Sequence, residues 1–427
     1  MSREIDTNLY SRQIGTIGME AMKKLIQLKV LIVGLRGLGI ETAKNIILAG
    51  PNKVSIFDPE PSNIKDLSSN FYLLEEDVKN RKRRDEACLK KLSDLNPYVQ
   101  CDIMEGNDII KKIKHYNVIV ITEIMNKEQL FLINEECRKN KSGFIYSAGL
   151  GITGFCFVDF GDHIVTDKNG EEVKSYIIKT ITNKGEFFID KTVDNKNFNI
   201  NKGNYVVFRE VEGLNELNDE KPRLLTKVTP ISFCISDNLK YENYISGGIC
   251  EEVKEKIILQ FESLKNRFYE PYEKKPIPFD FSKVGRSELI HCGILALHEF
   301  YEKHNNSLPE LNNLEMAQEI LELSKEIYDK AKNKGSKWVE NIKTWNDSII
   351  LNIANWSRSE ISPICSFLGG IVAQEIVKFT GKYTPINQWF WFEFSEIIEN
   401  LPNEIDRNLK NSRYDDQIAI FGNDMQK

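Results

Sequence analysis

Two hydrophobic rhythms alternate along the first part of the chain. Short runs rich in Val and Ile (Lys29–Val33, Lys53–Phe57, Asn117–Thr122 and Gly143–Ser147) are separated by segments with apolar residues at three- and four-residue spacing, Ile40–Ala49, Arg83–Leu95 and Lys127–Lys139. Strand and helix periods in alternation predict a parallel sheet covered by crossover helices. From His163 the pattern changes to short β-rich runs broken by Asn-Gly and Lys-Gly turns, which predicts a small all-β module over 163–252. Helical spacing returns after Glu252, in Ser287–Lys303 and Asn313–Lys332, and predicts a helical bundle over 253–355. Pro363–Phe379, "PICSFLGGIVAQEIVKF", predicts a buried helix whose Gly369-Gly370 pair permits close packing, and Asn387–Phe394, "NQWFWFEF", a strand in a sheet core. The expected order is therefore an α/β domain (1–162), an all-β insert, a helical insert, and a return to the α/β domain (356–410).

Within the α/β part, Lys29–Gly50, "KVLIVGLRGLGIETAKNIILAG", places a strand, a glycine-rich turn and an amphipathic helix in the order of a dinucleotide-binding fold. Its glycines are Gly34, Gly37 and Gly39, and the middle glycine of the usual G-x-G-x-x-G spacing is replaced by Arg36. That glycine lets the backbone approach a pyrophosphate, so a Cβ and a long side chain there should crowd it. Asp58 ends the next strand, where an acid could meet ribose hydroxyls.

An internal echo adds to the pattern. "YSRQIGTIGMEAMKK" (Tyr10–Lys24) is repeated in outline by "YDDQIAIFGNDMQK" (Tyr414–Lys427), with Tyr10, Gln13, Ile14 and Gly18 matching Tyr414, Gln417, Ile418 and Gly422. Asp416 stands where the first copy has Arg12. Residues 411–427 thus read as the start of a second α/β repeat.

Composition narrows the function classes. A net charge of −6 over 427 residues leaves no broad basic excess for nucleic acid. The local run Lys79–Arg84, "KNRKRR", reads as a solvated turn leading into a helix. The eight cysteines include no C-x-x-C pair, which argues against zinc and disulfide frameworks and for a reducing compartment. No apolar signal core and no run of about 18 apolar residues occurs, so no membrane association is expected and the cytoplasm or nucleus is the expected location. Cys156 and Cys234 lack a local His–Asn or His–Asp constellation. The histidines His115, His163, His291, His298 and His304 are dispersed, and no metal site is expected.

Taken together, "LYSRQIGTIGMEAM", "VGLRGLGIETAKNIILAG", "DLSSNFYL", "FREVEGLNELN", "HCGILALHEF", "LGGIVAQEIVKFTGKYTPINQW" and "SRYDDQIAIFG" resemble the N-terminal half of ubiquitin-activating enzymes, the E1 family. The resemblance implies a Rossmann-like, ThiF/MoeB-type adenylation fold. The α/β part would be the inactive adenylation domain, the β insert the first catalytic-cysteine half-domain, and the helical insert the four-helix bundle. The family adenylates the ubiquitin C-terminus with MgATP and forms a thioester on a cysteine. A second, active adenylation domain, the cysteine domain and the E2-binding ubiquitin-fold domain are expected beyond this sequence.

Carried over residue by residue, the resemblance implies that this half does not hold MgATP. Active members have S-N-L-N-R-Q-F where Lys65–Phe71 reads "KDLSSNF", so the family's second Asn and its Arg fall on Ser68 and Ser69 and its Gln on Asn70. Serine has neither the charge nor the reach of an arginine phosphate clamp. The family's metal-binding Asp falls on Met125, which is no ligand for Mg²⁺, with Glu123 two residues away. Lys82 sits where the family has a lysine and, like Asp58, reads as inherited scaffold. The resemblance also implies that Arg12 is lent in trans to the ATP of the active half. Two other readings fit part of the pattern: a regulatory subunit of a heterodimeric E1 for a ubiquitin-like protein, and a Rossmann enzyme using NAD or S-adenosylmethionine. The large β insert counts against the first, the broken glycine loop against the second.

Overall fold

The computed structural model describes residues 4–194, 197–237, 239–273, 280–399, 401 and 405–426. They form two compact units, one of Met1–His163, Leu259–Thr380 and Pro385–Lys427, the other of Ile164–Ile258 with Gly381–Thr384.

The first unit is built on strands β1 (Lys29–Val33), β2 (Lys53–Phe57), β3 (Gln100–Ile103), β4 (Val118–Ile121), β5 (Gly143–Leu150) and β6 (Thr153–Asp159), with a late strand, Trp389–Glu393, at one edge. The order across the sheet is Trp389–Glu393, β6, β5, β4, β1, β2, β3. Strands β3, β2, β1, β4 and β5 run parallel, whereas β6 and the late strand are antiparallel to their neighbours. Strands β4, β5 and β6 are buried along their whole length, and β4, with both faces covered, is an unbroken run of Val and Ile. Val33 pairs with both Phe57 and Ile121, so the C-terminal ends of β1, β2 and β4 lie level. The order reverses between β1 and β4, and ligands of open α/β sheets bind outside such a switch point.

Helix α3 (Gly37–Ala49) starts from the loop at that point, while α1 (Ser11–Ile17) and α2 (Met19–Leu25) precede β1, with Gln13 of α1 reaching the far end of α3 at Ala49. The helices Arg286–Lys303, Leu314–Lys334 and Asp347–Trp356 form the bundle expected from periodicity. They do not close a core of their own: Leu289, Ile294 and Leu297 share one continuous core with Phe144, Tyr146 and Phe155 of the sheet. Cys156 is a buried residue of β6.

The sequence echo is also a structural one. Helix α1 follows Tyr10 (φ −97°) and stops at Gly18 (φ 84°, ψ 158°), and the helix Asp415–Phe421 follows Tyr414 (φ −97°) and stops at Gly422 (φ 83°, ψ 168°). A second short helix follows each, α2 in the first copy and Asn423–Gln426 in the second.

The second unit is a closed six-stranded antiparallel barrel of Tyr205–Glu212, Arg223–Val228, Ser232–Ile235, Glu186–Ile189, Ser175–Ile181 and Ser246–Val253, in that order around the barrel. Phe187, Phe208 and Phe233 fill it, with the Phe187 and Phe233 rings stacked 5.1 Å apart. No helix among the described residues is long and apolar enough to cross a membrane.

Candidate functional site

The loop after β1 keeps the shape of a nucleotide loop for packing reasons. Gly34 turns the chain at φ +89°, and a Cβ on Gly39 would lie 2.0 Å from the Gly34 carbonyl oxygen. The Leu35 amide donates to Asp58 Oδ2 at 2.7 Å. Asp58 is buried at the end of β2, where Arg84 Nη1 reaches both its oxygens at 2.9 and 3.1 Å. Arg84 Nε donates to Asp66 Oδ2 at 2.8 Å. Burial pushes the Asp58 carboxyl up, with the Arg84 charge opposing it.

Arg84 corrects the reading of the basic run as a solvated turn. Lys79 and Lys82 are exposed, Lys82 lying 3.7 Å from Asp77, but Arg84 opens the helix Arg84–Ser93 and turns inward between two carboxylates.

Arg36 occupies the N-cap position of α3 with extended backbone. Its Nη2 donates to the Arg358 carbonyl at 2.9 Å. The guanidinium also stands among three carboxylates, 3.7 Å from Asp66, 4.0 Å from Glu360 and 4.0 Å from Asp416. Glu360 Oε2 accepts from the Gly37 amide at 2.6 Å, and the Glu360 amide donates to Asp416 Oδ2 at 2.9 Å. The positive end of α3, where an anion would be drawn, therefore already meets a carboxylate of the same chain. Burial pushes both the Glu360 and Asp416 carboxyls up, with the Arg36 charge opposing it.

The replaced family positions lie around this cluster. A Cβ on Gly37 would fall 2.5 Å from Ser69 Cβ, so Ser69 is pressed under the helix start. Asn70 Nδ2 donates to the Leu35 carbonyl at 2.8 Å, and Ser68 Oγ lies 3.4 Å from the Glu360 carbonyl. Met125 packs against the hydrophobic core. Glu123 is half-buried, and burial together with the Asp58 charge pushes its carboxyl up to about 7. A cavity of about 500 Å³ remains beside the loop, lined among others by Arg36, Lys65, Arg84, Glu123, Arg358 and Glu360.

Arg12 lies elsewhere. Tyr10 is buried with its hydroxyl accepting from Asn96 Nδ2 at 2.9 Å, and Gln13 Nε2 donates to the Ala49 carbonyl at 2.9 Å. Between these anchors Arg12 is exposed and lines an open cleft of about 510 Å³ with Asp6, Leu9 and Tyr98. No ion pair joins it to another described residue.

The remaining candidates are structural. His291 Nε2 and His298 Nε2 are 2.9 Å from the Phe268 carbonyl and the Tyr146 hydroxyl, both inside the core. His304 is 3.0 Å from Glu319, His163 stacks on Phe379, and His115 is exposed. Cys234 is a half-buried barrel residue. Reading by motif missed Arg84, Asp66 and Glu360. Arg84 had a signal, since it is the first residue of an amphipathic period, but Glu360 lies 323 positions from its partner Gly37.

A model of the ThiF family matches residues 10–411. Ubiquitin-activating enzyme E1 2 of Arabidopsis thaliana is 37% identical over 435 residues, covering 100% of this chain and 39% of its own length. Ubiquitin-activating enzyme E1 1 of Candida albicans is 36% identical, with 100% of this chain and 41% of that protein covered. The human ubiquitin-like modifier-activating enzyme 1 is 34% identical, with 99% and 39% covered. The chain thus spans about two fifths of the length of the curated relatives it matches. Among solved structures, one of E. coli MccB with succinimide matches at 18% identity and a TM-score of 0.33, covering 36% of this chain and 50% of that one, a likeness too slight to add to the family.

Proposed function

Because the chain belongs to the ThiF family, we propose that it is the N-terminal, non-catalytic half of a ubiquitin-activating enzyme. Its loop at Gly34–Gly39 holds no MgATP. Three carboxylates face the phosphate position, Glu360 already satisfies the Gly37 amide, and Ser69 and Met125 stand where a clamp and a metal ligand are needed. A polyphosphate brought there would meet the like charge of these carboxylates. The nucleotide chemistry belongs to an active adenylation domain that pairs with this one. Ubiquitin is the substrate, the barrel forms part of its binding wall, E2 engages a more C-terminal region, and the protein works in the cytoplasm and nucleus.

Arg12 is the residue this half contributes to that chemistry. The supporting observation is an asymmetry between the two copies of the echo. Asp416 of the second copy reaches the glycine loop of this domain, whereas Arg12 at the matching place is exposed and makes no ion pair among the described residues. In a pseudo-twofold pair of such domains, Arg12 would reach the glycine loop of the other half, where a planar guanidinium suits phosphate charge.

ATP–pyrophosphate exchange with ubiquitin tests the proposal, using the chain alone and with the active half added in trans. The chain alone should be inactive and the mixture active. Arg12→Ala should lower the rate of the mixture at least about a thousandfold, the lower end of the range for arginines supplied in trans, without preventing assembly. Exchange by the chain alone would overturn the division of labour, and a wild-type rate in the variant would remove Arg12 from it.

A further inference from the structure

We propose that the degenerate glycine loop is the docking socket for the leading helix of the second repeat, with Arg36 as the positioning residue that receives Asp416. The socket is a charge-inverted copy of a nucleotide site. In a working site a cation meets phosphate at the start of the helix; here a cation fixed at the start of α3 meets a carboxylate carried by the incoming helix.

The helix Asp415–Phe421 is held chiefly through its own main chain. Trp356 Nε1 and Asn312 Nδ2 both donate to the Ala419 carbonyl, at 3.0 and 3.1 Å, and satisfy an orphan acceptor of its last turn. Arg413 Nη2 donates to the Leu67 carbonyl at 2.8 Å, and Ile418, Ala419 and Ile420 are buried. These contacts would accept many short helices. Discrimination comes from Asp416, which is 1% exposed and bonded through Oδ2 to the Glu360 amide.

Buried carboxylates need an opposite charge. Asp416 Oδ1 and Asp66 Oδ1 have no hydrogen-bond partner among the described residues. Arg36 is the cation placed near both carboxylates, at 4.0 and 3.7 Å. Glycine at position 36 would leave Asp416 and Glu360 without the Arg36 charge, and Asp66 with Arg84 alone. The residue that spoils the loop for phosphate is therefore the residue that makes it a receptor for Asp416. In the first copy of the echo none of this exists, since Arg12 is exposed. The comparison with Arg12 rests on the reading given above; the Arg36–Asp416 contact does not.

Amide hydrogen exchange of the full chain, followed over residues 414–421, tests the socket in Arg36→Glu, Asp416→Arg and the double variant. Each single reversal should speed exchange there at least about tenfold, the scale expected when a buried charge loses its partner. Amides of β1 and β4 should keep their protection, and the double variant should return to within about threefold of wild type. Unchanged exchange in both singles, or a double variant that adds the two effects, would overturn the proposal. Should a reversal fail to fold, the shape-preserving pair Arg36→Gln and Asp416→Asn is read the same way, and wild-type exchange in both would sink it. Arg12→Ala should leave exchange over 414–421 at the wild-type rate, so the two hypotheses fail separately.

Discussion

Glu360 closes the start of helix α3 by accepting the Gly37 amide at 2.6 Å across 323 positions of sequence. A helix start is a site of partial positive charge, and a carboxylate so close neutralises it from within the fold. Titration of the full chain with MgATP into the millimolar range should therefore leave its Tm unchanged. A ligand present at about one hundred times its Kd would add about 2.7 kcal/mol to stability, which thermal unfolding detects easily. A concentration-dependent rise in Tm would return the loop to nucleotide binding.

Arg84 should matter more to folding than any other residue of the basic run. It is 7% exposed and bonds Asp58 and Asp66 together. Arg84→Met keeps much of the volume but leaves buried Asp58 without its cation and Asp66 with only Arg36 at 3.7 Å, at a cost of about 3–5 kcal/mol. Lys82→Ala, at an exposed ion pair, should change stability by less than about 1 kcal/mol. Denaturant midpoints of the two variants give the comparison, and equal midpoints would mean that Arg84 is not structural.

What could be read from the sequence, and what could not, divides by distance along the chain. The strands β1, β2 and β4 were legible because each is a run of Val and Ile bounded by Gly, Asp or Thr. The identity of Arg36 as a misplaced residue was legible too, since glycine spacing is local. Its use was not, because Glu360 and Asp416 are brought to it by folding from more than 300 positions away. Arg84 shows the opposite failure. Its position at a helix start was visible, but six basic-rich residues look solvated until two buried acids are found behind one of them. The bundle's dependence on the sheet was hidden for a third reason: periodicity shows that a helix has an apolar face, not what covers it.

The buried histidines make the first unit sensitive to acid. Burial pushes His291 down to about 4 and His298 down to about 3, against an ordinary value of 6.5. With folded values depressed, the unfolded chain takes up protons that the folded one refuses. The stability is therefore fully present above pH 6.5 and lost as pH falls from there toward 4. Between about pH 7.5 and pH 5 the loss should reach about 2 kcal/mol for each histidine. His298→Gln should lower stability at neutral pH, where the Tyr146 contact is disturbed, yet flatten the slope below 6.5. Urea unfolding at a series of pH values checks this, and an unchanged slope would mean that His298 does not titrate in the unfolded chain alone.

The glycines offer the sharpest way to separate fold from ligand. If the loop were kept for phosphate, Gly39 would be free to change once binding was lost. It is not free, because a Cβ there would sit 2.0 Å from the Gly34 carbonyl oxygen and 2.9 Å from Thr122 Oγ1, and neither the turn nor β4 can withdraw. Gly39→Ala should cost at least about 2 kcal/mol by overpacking. The Gly369-Gly370 pair, expected from sequence to allow close packing as a unit, splits in the same test. A Cβ on Gly369 would lie 2.7 Å from Glu41 Cβ of helix α3, while one on Gly370 would meet nothing within 4 Å. Gly369→Ala should therefore destabilise, and Gly370→Ala, inside the helix Ser362–Lys378, should stabilise by about 0.5–1 kcal/mol through helix propensity. Chemical denaturation of the three variants, without any nucleotide, is the measurement. Should Gly39→Ala prove as stable as wild type, the packing account of the loop fails; should it destabilise as expected, the glycine pattern persists as a requirement of strand, turn and helix meeting at one point.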